Sequence, residues 1–323
     1  VNPQQNEVAH DVHWGSQQSY DYFLQTHGLD SYDGNGAPIV AYVHFAIDYI
    51  NAFWAGSWMA YGNADSSFGY YPLTTVDVVA HELTHGVTRS SSDLIYRNEH
   101  GALNESFSDI FGKAVEWYAD SANFSWRIAR QALANGQGIR SMSNPNLLGD
   151  PHTYLGNFWE FGSFDNGGVH INSGVQNKWF QLLVDGGTHV NDNGDTVTVP
   201  SIGWEAAEAI AYRNNSVYLS RFSVYADARM GSLLAAADLF GQCSSAYTAV
   251  ALAWDAVGVG QPVAENDLQL VSIEMDEGCR LGEQESVSVR VYNNSCQTTI
   301  PAGTPCPVSL ALNGQFVATD TLI

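Results

Sequence analysis

The sequence predicts an α+β protein in three parts: a mixed α/β first part, a mainly helical middle part and a C-terminal module of antiparallel strands. Between residues 75 and 259, apolar residues recur mostly at the spacing of amphipathic helices. Residues 1–74 are rich in aromatic side chains and mix helical and strand patterns. After residue 260, two stretches alternate apolar and polar residues, which is typical of half-buried strands.

The first part contains one predicted helix and one predicted strand. The helix falls within Val8–His27 and the strand covers Ile39–Phe45, with Asp-Gly and Asn-Gly turn signals between them. Thr74 and Asp77 have the spacing of a capping box, which predicts that a second helix begins at this point.

The middle part is predicted to consist of helices separated by loops rich in Gly, Asn and Asp. The predicted helices cover residues 102–118, 173–185, 204–213, 220–240 and 246–257. Gly258 and Gly260 follow the last of them and are typical of a helix end.

The C-terminal part begins after a polar segment, residues 261–266, which is interpreted as a linker. Val287 and Val289 fall on one strand face, and Asn313-Gly314 between two alternating runs predicts a hairpin. Roughly four strands fit this length, so we expect an incomplete Ig-like sandwich. The predicted divisions of the chain are residues 1–93, 94–260, 261–266 and 267–323.

The charge balance excludes several classes of partner. Asp plus Glu number 34 against 12 Lys plus Arg, and the formal charge is −22. A nucleic-acid partner is excluded because it requires a basic patch that neutralises phosphates. Anionic membrane surfaces are excluded for the same reason. The sequence contains no apolar run of the roughly 20 residues that a membrane span needs.

The four cysteines indicate the redox compartment. Their spacing matches neither a zinc motif nor a redox pair, so two disulfides in a secreted protein are favoured over buried free thiols. Sequence alone leaves all three pairings open for these residues, which are Cys243, Cys279, Cys296 and Cys306.

The central motif is His81-Glu82-Leu83-Thr84-His85. Two histidines four residues apart share one helix face, so both imidazoles can reach one zinc ion at about 2.0–2.1 Å. Glu82 lies one step around the helix, where it can act as a general base on a water at that metal. The alternative is a surface helix with satisfied histidines.

A third ligand is expected in the segment Asn104–Asp109. A hydrolytic zinc site needs three protein ligands and one open position. Glu105 follows His85 by 20 residues and is the candidate ligand. Asp109 lies one helical turn further on, where it can accept the second ring N–H of a liganding histidine. A solvated helix edge is the alternative for both carboxylates.

His170 ends the segment Asp165-Asn166-Gly167-Gly168-Val169-His170, near a predicted helix start. A protonated histidine at this point, with Asp165 five residues before it, can stabilise a developing oxyanion. The alternative is an ordinary loop histidine that caps a helix.

Taken together and in this order, the motifs resemble those of the thermolysin-like zinc metalloendopeptidases. The resemblance runs from about Asp11 to Gly258 and includes Asn51-Ala52-Phe53-Trp54, Leu94-Ile95-Tyr96 and Arg140-Ser141-Met142-Ser143. It implies a zincin-type two-lobe peptidase fold, with a truncated mixed α/β N-terminal lobe and a mainly α-helical C-terminal lobe. It also implies hydrolysis of internal peptide bonds in protein or peptide substrates, before bulky apolar residues.

The resemblance also implies a role for each matched residue. The implied zinc ligands are His81, His85 and Glu105, and the implied base is Glu82. The residues that would orient His81 and His85 are Asp109 and Asn104. The implied oxyanion donors are Tyr96 and His170, the latter held by Asp165. The substrate chain would be held by Asn51, the backbone of Ala52, and Arg140. The positions that match the lining of the apolar pocket are Leu73, Val78 and Ile139.

Calcium is a further cofactor to consider, because the family usually binds structural calcium beside the active-site helices. Asp77 and Glu116 match two of those positions, but residues 120–131 contain one acid, Asp120, and two arginines. Calcium needs several oxygen ligands, so a two-ion site is not expected. Asp77, Glu116 and Asp120 remain candidates for a single ion, and we expect stability to depend only weakly on calcium.

The C-terminal part loosely resembles cell-adhesion-related bacterial domains appended to secreted enzymes. Such a domain implies binding of carbohydrate or protein, with a plain spacer as the alternative. The whole sequence therefore predicts a secreted, monomeric zinc endopeptidase. The alternatives are a non-catalytic adhesion or substrate-binding protein that keeps the zinc fold, and a zinc exopeptidase or hydrolase of another bond.

Overall fold

The computed structural model describes residues 3–260, with side chains from residue 7 onward, and the backbones of four strands between residues 268 and 322. The chain divides into two compact units, Val1–Gly260 and Gln261–Ile323. Within the described residues, no helix combines the length and the apolarity that a membrane span requires.

The first unit opens with a long helix and a small mixed sheet. These elements are α1 (Pro3–His27), β1 (Ala41–Val43), β2 (Ala52–Trp54) and β3 (Met59–Tyr61). The sheet order is β1-β3-β2, with β1 parallel and β2 antiparallel to β3. Strand β2 therefore lies at an edge of the sheet.

Two buried helices form the centre of this unit, α2 (Val76–Ser90) and α3 (Asn98–Asp120). They approach each other closely at Gly112: a Cβ atom added there would lie 2.6 Å from the backbone oxygen of Asp77. Only glycine permits this spacing. The core beside this contact includes the fully buried Leu83 and Phe107. The packing brings polar residues on the two facing helix surfaces together.

The rest of the unit is mainly helical and surrounds α3. Its elements are β4 (Arg127–Ile128), β5 (Arg140–Ser141), α4 (Asp165–Asn172), α5 (Gly174–Asp185), β6 (Gly187–Val190), β7 (Thr196–Val199), α6 (Gly203–Arg213), α7 (Tyr225–Phe240) and α8 (Ser245–Ala256). The pairs β4–β5 and β6–β7 are antiparallel. Trp179 and Trp254 stack with ring centroids 4.7 Å apart and are fully buried, which fixes α5 against α8.

Most predicted helices are found, with shifted boundaries. The segment predicted as residues 220–240 becomes helical only at Tyr225, because residues 219–224 form a loop with a turn at residues 221–222. The predicted capping box was wrong: Thr75 is the N-cap residue and makes no side-chain cap hydrogen bond. Its hydroxyl instead donates to Asp77 Oδ1 at 2.5 Å.

The second unit contains two antiparallel strand pairs. Strand β8 (Leu268–Met275) pairs with β9 (Val287–Asn293), and β10 (Cys306–Leu312) pairs with β11 (Gln315–Leu322). Leu312 is in register with Gln315, on either side of residues 313–314. The predicted sandwich and the predicted disulfides depend on residues and side chains outside the described ones, so they stay predictions.

Candidate metal centre and catalytic cleft

Helices α2 and α3 bring His81, His85 and Glu105 together. Nε2 of His81 lies 3.3 Å from Glu105 Oε2, and Nε2 of His85 lies 3.4 Å from Glu105 Oε1. The three potential ligand atoms lie within 4.8 Å of one another. Among the described residues, this is the group of His, Cys, Asp or Glu side chains arranged to hold a metal ion.

The chemistry of this group fits a zinc ion. Glu105 is fully buried, and within the described part of the chain its Oε2 atom has no hydrogen-bond partner. A buried carboxylate oxygen without a donor costs about 1–3 kcal/mol or more, and a cation between the three donor atoms would remove that cost. Two imidazoles and one carboxylate are a common ligand set of catalytic zinc sites.

Buried hydrogen bonds orient both imidazoles. His81 Nδ1 lies 2.9 Å from Asp109 Oδ1, and His85 Nδ1 lies 2.8 Å from Asn104 Oδ1. An Nδ1–H that donates to these oxygens leaves each Nε2 lone pair facing Glu105. The structure thus places Asp109 and Asn104 behind the two histidines, on the side away from Glu105.

Asp109 is itself held by two further side chains. Arg140 Nε and Nη2 donate to the two carboxylate oxygens at 2.7 and 2.6 Å, and Asn177 Nδ2 donates at 2.7 Å. Burial raises the pKa of Asp109, but Arg140 and His81 outweigh it, and the pKa lies below its usual range. Asp109 therefore stays ionised and keeps the tautomer of His81 fixed.

Glu82 lines the same cavity as the three ligands and is 5% exposed. Burial raises the pKa of Glu82 to about 7, although the neighbouring His81 lowers it. A carboxylate with a raised pKa is a better proton acceptor, which suits a general base near neutral pH.

Tyr96 and His170 lie on the open side of the centre. The Tyr96 hydroxyl donates to Glu105 Oε1 and lies 3.1 Å from His170 Nε2. Asp165 holds His170 twice, at its Nδ1 atom and at its backbone N–H, both at 2.7 Å. Burial lowers the pKa of His170, but Glu105 and Asp165 outweigh it and raise the pKa. These two carboxylates favour protonation of His170 relative to a free imidazole.

The backbone between Asp165 and His170 explains the glycines of this segment. Asn166, Gly167 and Gly168 have φ values of 54°, 90° and 77°. A Cβ atom added at Gly167 would lie 2.1 Å from Asn98 Oδ1, so a side chain is excluded on two grounds. This left-handed turn lets Asp165 fold back onto His170.

A cavity of about 550 Å³ runs along α2 and contains the centre. Its lining includes Asn51 and Ala52 beside β2, and Arg140. Leu73, Val78 and Ile139 also line it, so the residues expected in the apolar pocket are brought together. Their roles with substrate stay predictions.

The three calcium candidates have different surroundings. Lys113 is completely buried on α3 and forms ion pairs with Asp77 and Glu116. Asp120 is exposed and accepts a hydrogen bond from Asn123 Nδ2 at 2.7 Å. A cation of the chain itself therefore already pairs with two of the three candidates. The sequence prediction for calcium stays untested.

Sequence reasoning missed Lys113 and Asn177. Both are polar residues within the predicted helices at 102–118 and 173–185. Their positions on otherwise apolar helix faces were the available signal, because a buried polar side chain needs a partner.

Two family models match the first unit. Residues 2–89 match "Thermolysin metallopeptidase, catalytic domain", and residues 92–259 match "Thermolysin metallopeptidase, alpha-helical domain". The chain belongs to the thermolysin metallopeptidase family. The family is zinc-dependent. Its two-lobe fold, with a mixed first lobe and a helical second lobe, is therefore also that of this chain.

Individual relatives agree with this assignment. The chain is 44% identical over 261 residues to bacillolysin of Bacillus cereus, covering 80% of this chain and 45% of the relative. It is 43% identical over 256 residues to thermolysin of Alicyclobacillus acidocaldarius, covering 78% and 45%. The solved precursor of protealysin, a metalloproteinase from Serratia proteamaculans, superposes with a TM-score of 0.67 at 31% identity and 80% coverage of both chains. The chain thus spans less than half the length of the curated relatives it matches.

Proposed function

We propose that this chain carries the active site of a zinc-dependent endopeptidase that hydrolyses internal bonds of proteins or peptides. The observation that carries the proposal is the convergence of His81, His85 and Glu105 at the floor of an open cleft. Membership in the metallopeptidase family supports it. A non-catalytic adhesion or substrate-binding protein could have the same zinc fold, but none of the described site residues favours that alternative.

The cleft suits an extended substrate chain. Strand β2 pairs with β3 on one side only, so its other edge can pair with a peptide as an additional strand. Asn51, the backbone of Ala52 and Arg140 would hold that chain. The apolar surface at Leu73, Val78 and Ile139 would take a bulky apolar side chain just after the cut.

The chain's own residues would divide the work as follows. A zinc ion held by the three ligands supplies Lewis-acid polarisation and makes water more acidic. Glu82 takes a proton from the attacking water and passes it to the leaving amine nitrogen. His170 and Tyr96 donate hydrogen bonds to the carbonyl oxygen as it gains charge. Asp165 holds His170 so that its Nε2–H points into the cleft.

A quenched peptide with a central Gly-Leu bond tests the proposal. We expect internal cleavage that a zinc chelator abolishes and added zinc restores. Glu82→Gln should lower kcat by about 10²–10⁴-fold, because it removes the base while keeping the shape of the side chain. Mass spectrometry of the products identifies the bond that is cut.

Three other results would point elsewhere. Loss of single residues from one end would support an exopeptidase. No cleavage by folded, zinc-loaded protein would support a non-catalytic binding protein. Glu82→Gln with wild-type kcat would remove Glu82 from its assigned role.

We also propose that the protein is secreted and monomeric, and that residues 267–323 form an Ig-like module that binds carbohydrate or protein. The four cysteines support an extracellular setting, because disulfides persist in oxidising compartments. Light scattering after gel filtration tests the monomer. Pull-down on insoluble polysaccharide and on immobilised protein, with and without residues 267–323, tests the module.

A further inference from the structure

The cleft has two chemically different ends, set by one face of α2. His81, His85 and Arg89 follow one another at intervals of four residues, so they share a helix face. Val78 lies towards the start of the same helix and, with Leu73 and Ile139, forms what we call the apolar end. Arg89 lies about three helical turns further along α2 and lines the same cavity, as do Asp93 and Arg221. We call these three residues the charged end.

The charged end has a net positive charge. Arg221 Nη1 lies 2.5 Å from Asp93 Oδ2, and the two side chains are 57% and 43% exposed. Arg89 is exposed, and among the described residues none forms an ion pair or hydrogen bond with its side chain. Two cations therefore face one carboxylate, in a protein whose formal charge is −22.

The charged end is attached directly to the catalytic residues. The backbone N–H of Ile95 donates to the carbonyl oxygen of Arg221 at 3.1 Å, next to Tyr96 in the chain. Four helical residues advance about 6 Å along the axis, so the backbone of Arg89 lies about that far beyond His85. An extended substrate advances about 3.3–3.4 Å per residue. The backbone of Arg89 therefore lies level with a substrate residue about two positions from the reacting bond, and the long arginine side chain can reach the third position.

We propose that Arg89, assisted by Arg221, forms a subsite that selects an Asp or Glu side chain two or three residues before the cleaved bond. The inference deepens the proposed function and rests on it, because the apolar end is assigned to the residue after the cut. The planar guanidinium of arginine offers paired donors that match a carboxylate. Because Arg221 already forms an ion pair with Asp93, Arg89 supplies the larger part of the attraction for a substrate carboxylate.

The test uses quenched peptides with one Gly-Leu bond, in matched pairs that differ only by Glu or Gln at one position. One pair varies the second residue before the cleaved bond, and the other pair varies the third. At low ionic strength, wild type should cleave the Glu peptide with a kcat/KM about two- to fivefold higher, which is the upper part of the range of an exposed charge pair. Arg89→Gln should bring this ratio to about one, and Arg89→Lys should keep part of it. Asp93→Asn should raise the ratio, because it frees Arg221.

Arg213→Gln is the matched control. Arg213 pairs with Asp238 and does not line the cleft, so this variant loses the same charge elsewhere and should keep the wild-type ratio. Arg89→Gln and Arg213→Gln have the same net charge, so the net negative charge of the protein repels the Glu peptide equally in both variants. About 0.5 M salt should reduce the wild-type preference by screening.

The outcomes separate the two proposals. Equal cleavage of both peptides by wild type, or a preference that survives Arg89→Gln, overturns the subsite while the endopeptidase stands. Equal loss of preference in Arg213→Gln also overturns it, because the effect would then come from net charge. Cleavage of neither peptide by zinc-loaded protein overturns the proposed function and the subsite with it.

Discussion

Replacing Lys113 with methionine should destabilise the protein, and the loss should grow with pH. The Lys113 ammonium is completely buried, lies 3.4 Å from Asp77 Oδ2 and donates to the carbonyl oxygen of Arg127 at 3.1 Å. It also forms an ion pair with Glu116. Asp77 and Glu116 are only 2% and 8% exposed, so water cannot replace the ammonium.

The size of the loss follows from the partners that remain. Methionine keeps an unbranched apolar chain, so Lys113→Met removes mainly the charge. Removing one partner of a buried ion pair costs about 3–5 kcal/mol. Asp77 retains donors in the Thr75 hydroxyl and in the backbone N–H groups of Val78 and Ala129. Most of the cost should therefore come from Glu116.

The pH dependence follows from the same carboxylate. Burial and the nearby Asp77 raise the pKa of Glu116 from 4.5 to about 7, even though Lys113 lowers it. Without Lys113 the folded-state pKa rises further. A carboxyl group whose pKa is raised by folding adds stability in its protonated form. This stability is fully present below the unfolded-state pKa and is lost as pH rises through the folded-state pKa. Above pH 7 the deficit of the variant should therefore grow by up to about 1.4 kcal/mol per pH unit.

Urea unfolding at pH 6 and pH 8, at one ionic strength, measures this. The matched controls are Glu116→Gln and the double variant, in which the amide should restore part of the stability lost in Lys113→Met. Millimolar calcium should raise the melting temperature of Lys113→Met more than that of wild type, because two buried carboxylates become available. A deficit below about 1 kcal/mol, or one that is equal at both pH values, would refute the reasoning.

Three further predictions concern other parts of the first unit. Burial raises the pKa of Glu208 to about 7 despite the hydrogen bond from Tyr22, so wild type loses stability as pH rises from 5 to 8 and Glu208→Gln does not. The free energy of unfolding of Glu208→Gln relative to wild type should therefore rise by about 2–3 kcal/mol over this range. The same difference at pH 5 and pH 8 in urea unfolding would contradict this. Gly112→Ala should force α2 and α3 apart, lower stability by about 1–3 kcal/mol and weaken zinc retention against a chelator, whereas unchanged zinc retention would show that the helix spacing does not set the site. Asp165→Asn should lower kcat about tenfold with little change in KM or zinc content, because the amide keeps only one of the two oxygens that accept from His170 and loses the charge. An equal rise in KM would instead indicate lost substrate binding.

The convergence of the three candidate ligands could be predicted from the sequence because its parts are local. His81 and His85 lie one turn apart on a strongly periodic helix, and Glu105 lies on the next one. Helix boundaries were less predictable. The sequence pattern predicted Thr74 as the N-cap of α2, whereas the structure has Thr75, with extended backbone geometry, at this position. That choice is made by tertiary packing, which local sequence patterns do not contain.

The ion pair of Lys113 and the charged end of the cleft could not be predicted, because both depend on residues distant in sequence. Lys113 meets Asp77 across 36 residues, and Arg221 meets Asp93 across 128. A lysine in a helical pattern is usually solvated, so its place on an otherwise apolar face indicated burial but did not identify its partners. Only the packing of α3 on α2 reveals them.

That packing also links stability to the metal centre. Glu105, Asp109, Gly112 and Glu116 follow at intervals of three or four residues and therefore share one face of α3. Glu105 faces the two histidines of α2, Gly112 sets the distance between the helices, and Glu116 joins Asp77 through Lys113. The ligand distances and the buried ion pair are thus fixed by a single interface. A change that spreads the two helices must affect both, whereas removal of the ammonium alone perturbs charge at the far end of the interface and leaves the close contact at Gly112 in place.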